Sequence, residues 1–497
     1  MTQLPGKIPA TAPRAEERIS FFAEQARRRT QATGWSILTG IIGLSMCWSF
    51  GFLVVEAVLF YILLFSQFLP RRLERLFNLF LDHAGGLPAV FVAATLFSIA
   101  LWLFIQRIFA RDSSAGLIQR IGARPPNRLD LEEKQLVNVA EEMAIAATVP
   151  APTVMLFDGL EINAAVIGEK PESAVLLVSR ELLNQLNRDE TQGVIGHLVS
   201  SVVNGDLRLI GAMLRAFYMM GLAVTLLDLP FSARSRHAMA LLIRHVMQPN
   251  ADGGTSVGGE QIGEALTLSL QPEGLVAMNM FMQKLIGDEK GVRSWLGALL
   301  LFPLLPLIVM RLAAGLIYGL SSLFILGPLV ALVLRSRRRL ADATAVQLTR
   351  NPDGLGAALI HLYGIAHAVP NTGWAEMTFI VGNEAGGARQ IDRFQARVTE
   401  IKSSVTDFKD RARQTAQAAA SLAESVPQEK SEAARHNFIF GFHPSLGSRI
   451  VQLQRMGATS IQWVERKDYS GWIVAAVIAF VFGIVLLVAL GSQRGSH

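Results

Sequence analysis

The sequence predicts an α+β membrane protein, mostly helical, with a small β-sheet, about four to five transmembrane helices and a long coiled-coil-like helix. Three observations lead there. Hydrophobic residues fill 51% of the 497 positions and charged residues only 17%, a balance suited to one soluble body with the rest of the chain in lipid. Apolar runs long enough to span a bilayer recur with basic residues at their flanks. Between two of those runs, short strand-like segments alternate with stretches of helical periodicity.

Residues 1–34 are polar and arginine-rich, too charged for a secretory signal, and read as a cytoplasmic lead-in. Trp35 to Leu69 is almost wholly apolar, longer than the roughly 20 residues that one span requires. Glu56 lies near its middle, and two readings stay open: a carboxylate snorkelling to the boundary, or a functional group inside the membrane. A loop with Arg71, Arg72 and Arg75 leads to a second span at about Leu87 to Phe109. Arg14, Arg18, Arg27, Arg28 and Arg29 outnumber the basic residues of that loop, which places the N-terminus in the cytoplasm and, two spans later, the soluble body as well. A bacterial inner membrane is the expected location. The net charge of +6 is modest and sits beside apolar stretches, which argues against a nucleic-acid surface. The single cysteine, Cys47, excludes internal disulfides and a cysteine-rich metal site.

Leu129 to Ala147 reads as an amphipathic helix, Pro152 to Asp158 and Ala174 to Ser179 as strands, and Arg180 to Leu186 as a short helix. A third apolar segment covers about Leu209 to Leu229, and a polar excursion follows over 230–294. The block Trp295 to Leu334, broken by Pro303, Pro306, Arg311 and Pro328, is expected to span near Leu312 to Leu334. From Gly387 to Ala423, Ile391, Phe394, Val398, Ile401, Val405, Phe408 and Ala412 recur at steps of three and four, the pattern of a coiled-coil seam about 55 Å long. Self-association through 391–422 and packing on the protein's own body both remain open. Trp472 to Leu490 is long enough for a last span.

The central stretch is Asn187 to Leu207, NRDETQGVIGHLVSSVVNGDL. It has the frame of a helix bearing the zinc signature H-E-x-x-H, in which two imidazoles one turn apart bind a metal and the glutamate acts on its water. His197 fills the first position, Leu198 stands where the glutamate belongs and Ser201 where the second histidine belongs. Around this helix lie Asn163-Ala164-Ala165, Asn204-Gly205-Asp206, the segment Ser336 to Asp342, and His443-Pro444 followed by Arg449-Ile450. In that order the landmarks resemble the family of integral-membrane zinc peptidases that includes HtpX and the CAAX prenyl endopeptidases, over roughly 112–208 and 310–460.

The resemblance implies a gluzincin-like metallopeptidase body assembled from 112–208, 335–386 and 427–470, with membrane segments at 35–111, 209–334 and 471–497 and a helical insertion at 387–426. It implies that Asn163, Ala164 and Ala165 form an edge strand that pairs with extended substrate through backbone hydrogen bonds. It places Arg338 near the position of the third ligand, a glutamate, and Asp342 where the family has an aspartate supporting a ligand. His443 matches an active-site imidazole outside the metal shell.

The side chains at those positions oppose the family's chemistry. A catalytic zinc needs three protein ligands and an open position for water, and His197 is the only ligand position retained. A serine hydroxyl is a poor substitute for imidazole, Leu198 moves no proton, and Arg338 brings a permanent positive charge. At an effective dielectric of about 20, such a charge about 4 Å from a dication is repelled by roughly 8 kcal/mol. The vestigial site is therefore His197, Ser201, Arg338, Asp342 and His443, with no residue assigned as catalytic and no cofactor expected. Arg338 and Asp342, one turn apart, suit an internal ion pair. For His197 a satisfied buried histidine stands beside a lone ligand, for His443 a turn residue beside a site imidazole, and for Asn163 a turn former beside a groove residue.

The expected function is a membrane-anchored peptidase homologue that is catalytically inactive and binds polypeptide or a partner protein. The alternative is an active zinc endopeptidase of membrane protein quality control with displaced ligands, His361 and His367 joining His197. A third reading is a structural organiser whose groove has collapsed.

Overall fold

The computed structural model describes residues 21–65, 87–108, 114–159, 161–247, 305–321, 325–364, 372–382 and 441–460, with a few single positions between them. Its contacts divide the chain into two compact units. One comprises Met1–Ile37, Leu117–Leu209 and Gly327–His497, the other Leu38–Gly116 and Ile210–Leu326.

The first unit carries the sheet and the signature helix. Helices α1 (Phe21–Phe65), α2 (Leu87–Ile108) and α3 (Ser114–Ile121) lead to α4 (Leu131–Ala147). Asp130 starts α4 by accepting the Glu132 and Glu133 amides, and Thr148 ends it in the left-handed region at φ 56°. Three strands follow, β1 (Thr153–Phe157), β2 (Ala164–Ile167) and β3 (Val175–Ser179). The sheet order is β1-β3-β2, with β1 parallel and β2 antiparallel to β3. Apolar residues on both faces of these strands are buried, as a sheet covered on two sides demands.

After α5 (Arg180–Gln185) comes the signature helix, α6 (Arg188–Val203). A reciprocal cap fixes its start: the Asn187 side chain accepts the Glu190 amide, and the Glu190 carboxylate accepts the Asn187 amide, each at 3.0 Å. Gly193 and Gly196 let two later helices approach, since a methyl on the first would stand 2.7 Å from the Leu355 backbone and one on the second 2.9 Å from Thr349 Cγ2. Those helices are α10 (Gly327–Thr349) and α11 (Pro352–Gly364), and α12 (Leu446–Arg455) closes the unit. Val194, Ile195, Leu198, Val199, Ala345, Leu359, Ile450 and Leu453 meet in one apolar core.

In the second unit, the later part of α1 packs on α2. Trp48 Nε1 donates to Thr95 Oγ1 at 2.9 Å, its ring lies 4.9 Å from that of Phe91, and a Cβ on Gly51 would meet the Ala94 carbonyl at 2.8 Å. Small residues lie at the contact, and the large apolar side chains of Ile41, Leu44, Phe91, Leu96 and Leu103 are exposed outside it. Helix α7 (Asp206–Asp228) leads from the end of α6 into this unit, followed by α8 (Ala233–Met247) and α9 (Leu305–Ser321). Asp228 and Arg311 form a buried bidentate pair between α7 and α9.

Among the described residues, α7 is the single helix long and apolar enough to cross a membrane, where four to five were expected. The stretch 312–334, expected as one span, is divided between α9 and α10, and Leu329 to Leu334 are buried within the first unit. The reason lies in the motif that follows: Ser336 to Asp342 must reach α6, so the helix carrying it belongs to the body. The heptad seam at 391–422 and the last run at 472–490, position 476 aside, lie outside the described residues.

Candidate functional site

The signature helix α6 and α10 are packed face to face, and their central charged groups meet. His197 Nδ1 lies 2.8 Å from Asp342 Oδ1, both side chains buried, although the N–H is not well aligned on the oxygen. A carboxylate oxygen accepts, so Nδ1 carries the proton and the Nε2 lone pair is left on the other side of the ring. Burial pushes the imidazole below its ordinary pKa; Asp342 opposes this, and Arg449 and Arg338 add to it. His197 is neutral.

Asp342 departs from expectation. It was expected to pair with Arg338 along its own helix, but its partner is Arg449 of α12, whose Nε and Nη2 donate to Oδ2 and Oδ1 at 2.8 and 2.7 Å. Both side chains are fully buried. A planar guanidinium engaging both carboxylate oxygens beats a neighbour on one helix, because a buried carboxylate needs both oxygens satisfied. Burial alone would raise the Asp342 carboxyl, yet Arg449 and His197 outweigh it and hold it well below the usual carboxylate range. Arg449 stood in the sequence only as part of a landmark; an arginine six residues after a His-Pro shows nothing of a buried partner 107 positions away.

Arg338 donates through Nη2 to the Met377 carbonyl at 2.7 Å. Its charge is among the causes that lower the pKa of both His197 and His443. His443 Nε2 lies 3.0 Å from the Phe379 carbonyl oxygen, which can only accept, so Nε2 bears the proton. Burial first, then Arg338, hold that ring well below its ordinary value. Leu198 faces the apolar core, and the Ser201 hydroxyl hydrogen-bonds to Asp206.

The two sequence landmarks flanking the site interlock. Arg337 donates to Asp206 Oδ1 at 2.5 Å and to the Asn204 carbonyl, and Asn204 Nδ2 donates to Thr344 Oγ1 at 3.3 Å. Gln25 of α1 reaches the same Thr344 hydroxyl at 3.2 Å.

Asn163, Ala164 and Ala165 stand at the sheet edge, as the resemblance implies, but the edge is covered. Ala165 forms an antiparallel bridge with Phe379, and the Ile380 amide donates to the Ala164 carbonyl at 2.8 Å. Asn163 Nδ2 donates to the Val381 carbonyl at 2.8 Å. The Asn163 side chain thus holds the backbone of the segment that lies against this edge. Signals for this were present as Thr378 to Val381, a short β-branched and aromatic run, and went unread.

At the positions where the resemblance implies three ligands, the side chains are one imidazole, one hydroxyl and one guanidinium, which do not fit the three-ligand set of a catalytic zinc. No group of three or more His, Cys, Asp or Glu side chains is placed to hold a metal among the described residues. His361, proposed for a rebuilt site, instead lies 3.3 Å from Glu190 at the start of α6, about 10 Å along the helix from His197 at 1.5 Å per residue.

Comparison with known proteins gives the lineage. The model of Peptidase family M48 matches residues 130–256. A protease HtpX homolog of Dictyoglomus turgidum is 36% identical over 126 residues, 25% of this chain and 40% of its own length. Those of Streptococcus gordonii and Thermoanaerobacter pseudethanolicus are 28% and 25% identical, over 55% and 61% of this chain and 69% and 83% of their own lengths. No solved structure matches. Residues 130–256 thus carry the match to Peptidase family M48, and the chain resembles the HtpX homologs over a longer stretch.

Proposed function

We propose that this chain is a membrane-anchored HtpX homologue that has lost hydrolysis and uses the peptidase frame to bind polypeptide or a partner protein. One observation carries the loss: the positions of general base, second ligand and third ligand hold Leu198, Ser201 and Arg338, and Arg338 stands where its charge acts on His197. Without the glutamate no group takes the proton of an attacking water, and without two of three ligands a dication has one imidazole and a repelling guanidinium. The remaining residues hold backbone: Asn163, Arg338, His443 and Arg449 all engage main-chain carbonyls.

Anchoring rests on α7 and on the lipid-suited exterior of the α1–α2 pair. The arginine-rich N-terminus argues for a cytoplasmic body at a bacterial inner membrane. Zinc content of the purified full chain tests the central claim. Less than a tenth of an equivalent of zinc, roughly, with no casein cleavage is expected; one equivalent of zinc with chelator-sensitive cleavage would establish the active enzyme instead.

A further inference from the structure

Four side chains from the sequence landmarks converge on one short segment of the same chain. Arg338 Nη2 donates to the Met377 carbonyl at 2.7 Å, and His443 Nε2 lies 3.0 Å from the Phe379 carbonyl. Arg449 Nη1 donates to the Ile380 carbonyl at 3.0 Å, and Asn163 Nδ2 to the Val381 carbonyl at 2.8 Å. On the opposite side the Ile380 amide donates to the Ala164 carbonyl at 2.8 Å, and Phe379 bridges Ala165 antiparallel. Its first two residues end a 3-10 helix, Gly373–Thr378, and Phe379 to Val381 then lie against the edge of β2 that β3 leaves open. Phe379 anchors it, buried with Phe157, Leu117 and Ile167.

We infer that Phe379–Val381 is an internal segment occupying the polypeptide groove, tied down by Arg338 through the last turn of the short 3-10 helix before it, and that an extended external peptide enters only by displacing it. This rests on the proposed function for the idea that the groove still receives polypeptide. The chemistry is that of strand addition: backbone donors and acceptors on β2 and carbonyl-seeking side chains opposite it recognise any extended chain, whichever molecule supplies it. A glutamate at position 338, as the family has, accepts hydrogen bonds and could not donate to Met377; the arginine can. The substitution that removes a metal ligand thus also supplies a latch. Arg338 is a positioning residue here, acting through the segment.

The test uses the full chain in nanodiscs, with hydrogen exchange at residues 379–381 and binding of fluorescein-labelled, unfolded casein as readouts. In the unaltered protein the Ile380 amide is expected to be protected and casein binding weak. Arg338→Leu, which has no donor, is expected to speed exchange and tighten casein binding by about tenfold or more, because apparent affinity scales with the open fraction. A second variant guards against a folding defect: Ala165→Cys with Phe379→Cys staples the bridge, and should abolish casein binding when oxidised and restore it on reduction. Equal casein binding by oxidised and reduced forms, or fast exchange at Ile380 in the unaltered chain, overturns the inference. Casein cleavage by any variant would defeat the loss of hydrolysis without touching the segment, so the two failures are separable.

Discussion

At the scale of single residues, the Asp342–Arg449–His197 cluster decides stability. Asp342 is a fully buried anion whose two oxygens are met by Arg449, with the neutral His197 ring beside them. Removing the cation leaves a carboxylate with no compensating charge, so Arg449→Ala should cost roughly 3–5 kcal/mol. Arg449→Leu combined with Asp342→Leu should recover much of that, since replacing both members of a buried pair avoids the orphaned charge. Thermal melts of the three proteins check this. The same cluster sets the response to acid. His197 and His443 are held below their ordinary value, so below about pH 6.5 the unfolded chain binds protons that the folded chain refuses, and stability falls as pH drops. Asp342, held low, keeps its contribution until pH falls below about 4 and loses it from there. The melting temperature is expected to be flat between about pH 8 and 7 and to decline from about 6.5 to 5; a rise over that lower range would contradict the assignment of neutral, buried imidazoles.

At the scale of elements, α6 is the part against which the rest of the first unit packs, and its small residues are what permit this. Gly193→Ala puts a methyl 2.7 Å from the Leu355 backbone, and a backbone cannot swing aside as a side chain can. The variant should lose about 1–3 kcal/mol, with melting shifted down and the fold retained; an unchanged melt would show that α11 shifts freely. Much of this element was legible in the sequence. The cap at Asn187 and Glu190, the frame around His197 and the strands at 153–157 and 175–179 follow local rules of capping and periodicity, and the structure has them there. What could not be read were pairings across long sequence gaps. The choice of Arg449 over Arg338 as the partner of Asp342, and of Phe379 to Val381 as the cover of β2, depends on which distant elements arrive at the site. The split between α9 and α10 was hidden for a related reason: hydropathy cannot tell a helix buried in protein from one buried in lipid, and Leu329 to Leu334 satisfy both.

At the scale of the whole molecule, the proposed loss of hydrolysis treats the peptidase frame and its chemistry as separable, and supplying the chemistry tests this directly. The α6–α10 packing still brings position 197 against Asp342, so the geometry that oriented a first ligand persists. Leu198→Glu, Ser201→His and Arg338→Glu together would supply the base, the second imidazole and a carboxylate in place of the repelling guanidinium. They would also remove the donor to the Met377 carbonyl. The triple variant is therefore expected to bind about one zinc per chain and to cleave unfolded casein in a chelator-sensitive manner, whereas each single substitution leaves at most two protein ligands and should hold no zinc after dialysis. Metal analysis and casein gels on the same four preparations decide it. Zinc in the triple variant without cleavage would mean that the frame has drifted by more than the fraction of an ångström catalysis tolerates, while absence of both would place the loss in the backbone as well as in the side chains.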